Sequence, residues 1–324
     1  MKCAVVGYGY WGRNVAHALH RSSVFFLHTI YDRHQDAQAK AQSDYAFTPY
    51  ASYEAILADS TIEAIFIITP PHTHYALAKA ALESKKHTFV EKPLTTHYTQ
   101  AQELYSLAHA QGVKLYCDHI FLHAPAVEYL KGQIQSFGEI VYINARRINL
   151  GLFQSNVDVI WDLAIHDLSI IDYLVGLHIK EVSTFKTQYL NYPNHALANI
   201  NIKLESGIIV MIHVSWLSPI KVREMIIGGS KKTAIYDETK RDKIALFDTG
   251  VVIKDTFDTH SLYQKMVEYK LGEQTTPALP NTMALDNSIH YFASCILQGK
   301  PVATPYGRAH VLRVMKALEM IQHS

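Results

Sequence analysis

The chain has 324 residues, 48% of them apolar and 18% charged, with a formal net charge of +1. That length exceeds what one hydrophobic core usually serves, so two domains are expected, each able to bury a core without staples. The scattered, balanced charge argues against a nucleic-acid partner, and no stretch of about 18 uninterrupted apolar residues is present to span a bilayer.

From Lys2 to Asp118 short apolar segments (CAVV, FFLHTIY, AIFIIT, HTFV, VKLYCD) alternate with helical stretches. This alternation predicts an α/β Rossmann domain over residues 1–120, a parallel sheet with helices on both faces. The segment YALAKAALESKK reads as an amphipathic helix with Ala76, Leu77 and Ala80 inward and Lys79, Glu83 and Lys85 outward. The opening residues MKCAVVGYGY enter the first strand directly, without the regions of an export signal. Cys3, Cys117 and Cys295 form no CxxC pair, so a reducing cytoplasm is the expected compartment.

Residues 121–324 change rhythm. A helix from Ala124 to Gln135 precedes long strands (EIVYINARRINL, EVSTFKTQYL, ALANINIKL, GIIVMIHVSW, VREMIIGG), with one helix near Asp162 to Val175. They predict an α+β substrate-binding and oligomerisation domain with a large, mainly antiparallel sheet. An open face containing Ile, Val and Trp is expected to pack against another subunit in a homodimer or homotetramer. Ala284 to Leu297 and Gly307 to Ile321 read as helices that pack back on the first domain.

Gly7-Tyr8-Gly9-Tyr10-Trp11-Gly12 follows the first strand and opens the first helix, the context in which a G-x-G-x-x-G run binds a dinucleotide. Gly7 permits the turn, Gly9 lets the backbone approach the pyrophosphate, and Gly12 allows close packing. Asp32, twenty residues after Gly12 at the end of the second strand, can accept from both adenosine ribose hydroxyls and repel a 2'-phosphate. Arg33 beside it can pair with that phosphate, so NAD is favoured and NADP stays open. Thr69 and Pro70 are expected to wall the cofactor cleft, with His72 and His74 as capping or packing residues at the next helix start.

Glu91-Lys92-Pro93 follows the strand HTFV, at the carboxyl edge of a parallel sheet. A lysine there can hydrogen-bond a substrate hydroxyl and hold a developing alkoxide, although Lys-Pro alone is a common surface turn. Asp162 and His166 are four apart and share one helix face, so the carboxylate can orient an imidazole that takes a hydroxyl proton. The same spacing also suits a surface ion pair or half of a metal site. No metal is assigned.

With GYGYWG, TPPHTHY, EKP, the DxxxH of Asp162 to His166, HYFASCILQGKP and GRAHVLRVMKALE in place, nearly the whole chain resembles the glucose-fructose oxidoreductase, inositol dehydrogenase and rhizopine catabolism (Gfo/Idh/MocA) family. The resemblance implies a two-domain NAD(P)-dependent oxidoreductase with Lys92 as catalytic lysine and His166, assisted by Asp162, as acid-base residue. It assigns Gly7, Gly9, Tyr10, Trp11, Gly12, Asp32, Arg33, Thr69, Pro70, His74, Glu91 and Lys92 to the cofactor. One position departs from it: relatives often carry an acid three residues after the histidine, where this chain has Ser169, with Asp167 and Asp172 on either side.

DHIFLHAPAVEYLK, RRINLGLFQSNVDVIWDLAIHDLSI and IIGGSKKTAIYDE resemble the branch acting on nucleotide-linked sugars, 3-dehydrogenases of the UDP-N-acetylglucosamine type and 3-ketoreductases. His119, Arg147 and Asn149 are the further candidates for contacting sugar or phosphate, beside Lys92, Asp162 and His166. Two other readings are an NADPH-dependent keto-sugar reductase and a silent cofactor-sensing regulator, which would need neither Lys92 nor the Asp162/His166 pair.

Overall fold

The computed structural model describes residues 1–151, 153, 157–253, 267–270 and 272–324. Within the Arg146 to Ile170 stretch quoted above, positions 152 and 154–156 lie outside the described residues. The chain forms two compact units, Met1–Ala124 with Thr282–Glu319, and Pro125–Asn281 with Met320–Ser324.

In the first unit, β1 (Lys2–Val6), α1 (Tyr10–His20), β2 (Phe26–Tyr31), α2 (Gln35–Asp44), α3 (Tyr53–Ala58), β3 (Ala64–Ile67), α4 (Pro71–Glu83), β4 (His87–Glu91), α5 (Tyr98–Gln111) and β5 (Leu115–Asp118) follow in order. All strand pairs are parallel and the sheet order is β2-β1-β3-β4-β5. Strand addition reverses at β1, so the carboxyl ends of β1 and β3 border a switch point, where sheets of this kind bind ligands. Phe66, Phe89 and Tyr116 line one face of this sheet. Phe292 of α8 (Ala284–Leu297) packs on all three, with ring centroids 5.6 to 5.8 Å away.

The amphipathic reading of α4 is corrected. Its buried side is His74, Ala78, Ala81 and Leu82, while Ala76 is exposed. An alanine-rich helix carries little contrast between faces, and His74 turns inward because its ring finds buried carbonyl partners.

The second unit contains α6 (Pro125–Gln133), β6 (Ile140–Leu150), a π-helical turn Ile160–Ala164 running into α7 (Ile165–Val175), then β7 (Ile179–Gln188), β8 (His195–Leu204), β9 (Ile209–Ser215), β10 (Leu217–Gly229), β11 (Thr233–Asp237) and β12 (Ile244–Phe247). Next come β13 (Gly250–Ile253), β14 (Val267–Lys270) and β15 (Gln274–Thr275); α9 (Arg308–His323) ends the chain. An eight-stranded sheet runs β15-β12-β11-β10-β6-β9-β8-β7, antiparallel throughout except for the parallel pair of β6 and β9.

Ile143, Ala145 and Arg147 of β6 alternate inward, leaving Tyr142, Asn144 and Arg146 on the open face. That face also carries Phe185 and Ile209, yet the tryptophan expected there is elsewhere. Trp216 is buried, because its indole N–H has a partner inside, as described next.

Candidate active site

The glycine turn sits at the carboxyl end of β1. Gly7 has φ +99°, and a methyl group added to it would lie 2.4 Å from the Ile68 carbonyl oxygen. A methyl on Gly12 would lie 2.2 Å from the Gly7 carbonyl oxygen, so these two glycines are required by the protein's own backbone. Gly9 differs. A methyl there would meet nothing within 4 Å, and as N-cap of α1 it offers no side chain to the first turn's amides. Open space over uncapped N–H groups fits a pyrophosphate.

The Asp32 carboxylate is fixed by the Tyr8 amide, which donates to one oxygen (2.7 Å), and the His34 amide, which donates to the other (2.9 Å). Its remaining lone pairs can accept ribose hydroxyls beside a shallow hollow lined by Tyr31, Arg33, Gln35, Gln38 and Tyr50. Arg33 instead donates from Nε to His34.

Thr69 and Pro70 follow β3, and His74 ties this segment to the one after β4. Its Nδ1 lies 2.7 Å from the Pro93 carbonyl oxygen and its Nε2 2.7 Å from that of Thr69. Burial lowers its pKa, so at neutral pH the ring donates to one of the two carbonyls at a time. The role found for His74 is therefore to align the two loops.

Lys92 directly follows β4. Behind it Glu91 accepts from the Trp11 indole N–H (3.1 Å), which gives Trp11 a place in the site that a glycine-motif reading does not supply. Glu91 and Asp118 are register partners on neighbouring strands. Burial raises the pKa of both, and in Glu91 the neighbouring Asp118 charge adds to the effect. Asp118 was not singled out from the sequence. The available signal was an acid closing a buried apolar strand, VKLYCD, beside the strand that leads to Lys92.

His119 follows Asp118. It is buried, with Nδ1 2.8 Å from His310 Nε2, so that nitrogen is engaged within the protein.

In the second unit, Trp216 donates from Nε1 to Asp162 (3.0 Å) and fixes that carboxylate one helical turn before His166. The assignment of Arg147 to a ligand is corrected. It is buried and grips Asp167 with two nitrogens at 2.9 to 3.1 Å, an ion pair that joins β6 to α7. Asn149, two residues on, shares the Arg147 face of β6 and is half-buried. The acids around Ser169 have structural duties. Asp167 holds Arg147, Asp172 accepts from the Leu177 amide at the end of α7 (2.9 Å), and the Ser169 hydroxyl donates to the His166 carbonyl (2.7 Å). Among the described residues no group of three or more His, Cys, Asp or Glu side chains could hold a metal ion.

Residues 1–119 match the family described as "Oxidoreductase family, NAD-binding Rossmann fold", and residues 136–235 match "GFO/IDH/MocA C-terminal domain". The chain belongs to the Gfo/Idh/MocA oxidoreductase family.

Among Gfo/Idh/MocA relatives, UDP-N-acetylglucosamine 3-dehydrogenase of Acidithiobacillus ferrooxidans is 32% identical over 183 residues, 56% of this chain and 56% of that protein. The aligned part thus spans little more than half the length of that relative. A dTDP-3,4-didehydro-2,6-dideoxy-alpha-D-glucose 3-reductase of Actinomadura kijaniata is 29% identical over 113 residues, 35% of this chain and 34% of that one. The solved structure of the Acidithiobacillus enzyme superposes with a TM-score of 0.84 at 24% identity, covering all of this chain and 97% of that one, which establishes the shared fold. Residues 1–119 are this family's NAD-binding Rossmann domain.

Proposed function

We propose that this protein is an NAD(P)-dependent dehydrogenase acting on a ring hydroxyl of a sugar, in particular C3 of a nucleotide-linked sugar. The observation that carries the reading is Lys92 at the carboxyl edge of the dinucleotide-binding sheet, on a turn that His74 ties to the Thr69-Pro70 loop. The similarity to a UDP-N-acetylglucosamine 3-dehydrogenase supplies the substrate class.

When bound, the nicotinamide supplies the hydride acceptor at C4. The protein supplies the rest. Lys92 donates a hydrogen bond to the substrate oxygen, His166 takes the hydroxyl proton as the C–H hydride departs, and Asp162, held by Trp216, orients His166. Overall, alcohol and oxidised cofactor give ketone, reduced cofactor and one proton. Asn149 and His119 are retained as candidate sugar contacts.

Mixing the protein with UDP-N-acetylglucosamine and NAD is expected to raise the absorbance of NADH. Lys92→Ala is expected to lower kcat by about 10²- to 10⁴-fold while leaving NAD binding nearly unchanged. Turnover at the wild-type rate in that variant would sink the lysine assignment. Arg33 beside Asp32, with the similarity to a 3-reductase, supports a second reading: NADPH-dependent reduction of a keto sugar. Comparing the thermal shift given by NAD with that given by NADP, in wild type and Asp32→Ala, separates the two.

We further infer a cytoplasmic protein, from three buried free cysteines, and a homodimer or homotetramer in which a second copy covers the open sheet face. A solution mass of one chain would refute the second point. No described helix is long and apolar enough to cross a membrane.

A further inference from the structure

Tyr8, between the first two glycines of the turn, makes contacts that the glycine motif does not call for. Its ring is buried in the core of the first unit, in one cluster with Ala16, Leu19, Ile30 and Ala41. Its amide donates to one oxygen of Asp32 (2.7 Å), and its hydroxyl donates to one oxygen of Asp44 (2.9 Å). Asp32 directly follows β2 and Asp44 ends α2, so one residue joins the glycine turn to both ends of the segment that carries the ribose carboxylate.

Each joint is braced a second time. Gln38 of α2 donates to the Asp32 carbonyl oxygen (2.8 Å), and Lys40 donates to the other Asp44 oxygen (2.7 Å). On the turn itself the Gly7 amide donates to the Tyr31 carbonyl oxygen (2.8 Å). Arg13 of α1 is a further charge acting on both Tyr8 and Asp44.

The two bonds of Tyr8 differ in what they demand of the sequence. Nearly any residue offers an amide to Asp32, whereas reaching Asp44 from inside the core takes a long side chain that ends in a donor. The amide fixes the Asp32 carboxylate, and the hydroxyl fixes how α2, with Asp32 at its start, lies against the turn. A dinucleotide bridges the two places, with its pyrophosphate on the turn and its adenosine ribose on the acid. A ligand held at two anchors is sensitive to their separation, and a ligand held at one is not.

We propose that the Tyr8 side chain is a positioning element of the cofactor site, whose hydrogen bond to Asp44 sets the separation between the glycine turn and the Asp32 carboxylate. The proposal rests on the reading of those two groups as the anchors of pyrophosphate and ribose, and it is independent of the sugar.

Titrations of the whole chain followed by NMR test it without turnover, using ADP-ribose, which reaches both anchors, and adenosine, which reaches Asp32 alone. Tyr8→Phe keeps the ring and the amide and loses only the hydroxyl. It is expected to raise the Kd of ADP-ribose at least about fivefold and that of adenosine less than about twofold. Asp44→Ala, at an exposed position, should reproduce this split, and the double variant should bind no more weakly than either single one. Asp44→Asn keeps an oxygen for the hydroxyl and should bind ADP-ribose within about twofold of wild type. A lower melting temperature of Tyr8→Phe with unchanged ADP-ribose affinity, or equal losses for both ligands, overturns the positioning role and leaves Tyr8 a core residue. Unchanged ADP-ribose affinity in Asp32→Ala overturns the reading of the anchors, and the proposal with it.

Discussion

The three glycines of the first turn make different predictions when each receives a methyl group. Gly9→Ala projects into open space, so the unliganded protein should melt at the wild-type temperature, while the stabilisation that NAD gives should largely vanish. Gly7→Ala meets the Ile68 carbonyl at a left-handed backbone position and should cost at least about 2 kcal/mol without any ligand. Thermal melts of both variants, with and without NAD, distinguish the roles. The buried acids predict a pH dependence. Burial raises the folded pKa of both above the unfolded value, so the folded state binds more protons across a window that opens at the unfolded carboxylate range, about pH 4. Stability should therefore fall as pH rises through that window, and the fall should flatten in Glu91→Gln. Melting temperatures across the range would show it.

At the level of elements, the joint between β6 and α7 rests on a buried charge pair. Asp167→Ala removes the two-nitrogen partner of the buried Arg147 guanidinium and is expected to cost about 3–5 kcal/mol, measurable by denaturant unfolding. This joint also shows where sequence reasoning reached its limit. Arg147 lies on the strand that a sugar-binding reading selects, and its partner is 20 residues away on a helix, a pairing that only tertiary structure reveals. The parallel sheet and the dinucleotide-binding class of the first domain were legible because glycine spacing and apolar alternation are local signals. The strands β11 to β15 were not, being short and sparsely patterned, and Asp118 escaped notice because its meaning depends on Glu91 across the sheet and Ser288 from the far end of the chain.

At the level of the whole molecule, the first unit is discontinuous: Met1–Ala124 is completed by Thr282–Glu319. A fragment ending at residue 124 lacks Phe292 and Ser288, so it should expose the Phe66, Phe89 and Tyr116 face, bind a hydrophobic dye and aggregate. Joining residues 282–324 to that fragment through a flexible linker should restore solubility; dye binding and sedimentation would read both outcomes.

The same discontinuity has a consequence during synthesis. The strands β1 to β5 leave the ribosome before α8, which covers their aromatic face. Until α8 emerges that face waits uncovered, and a chaperone or slow elongation has a long window of influence there. A stop codon ahead of α8 thus strips the cover from strands already made.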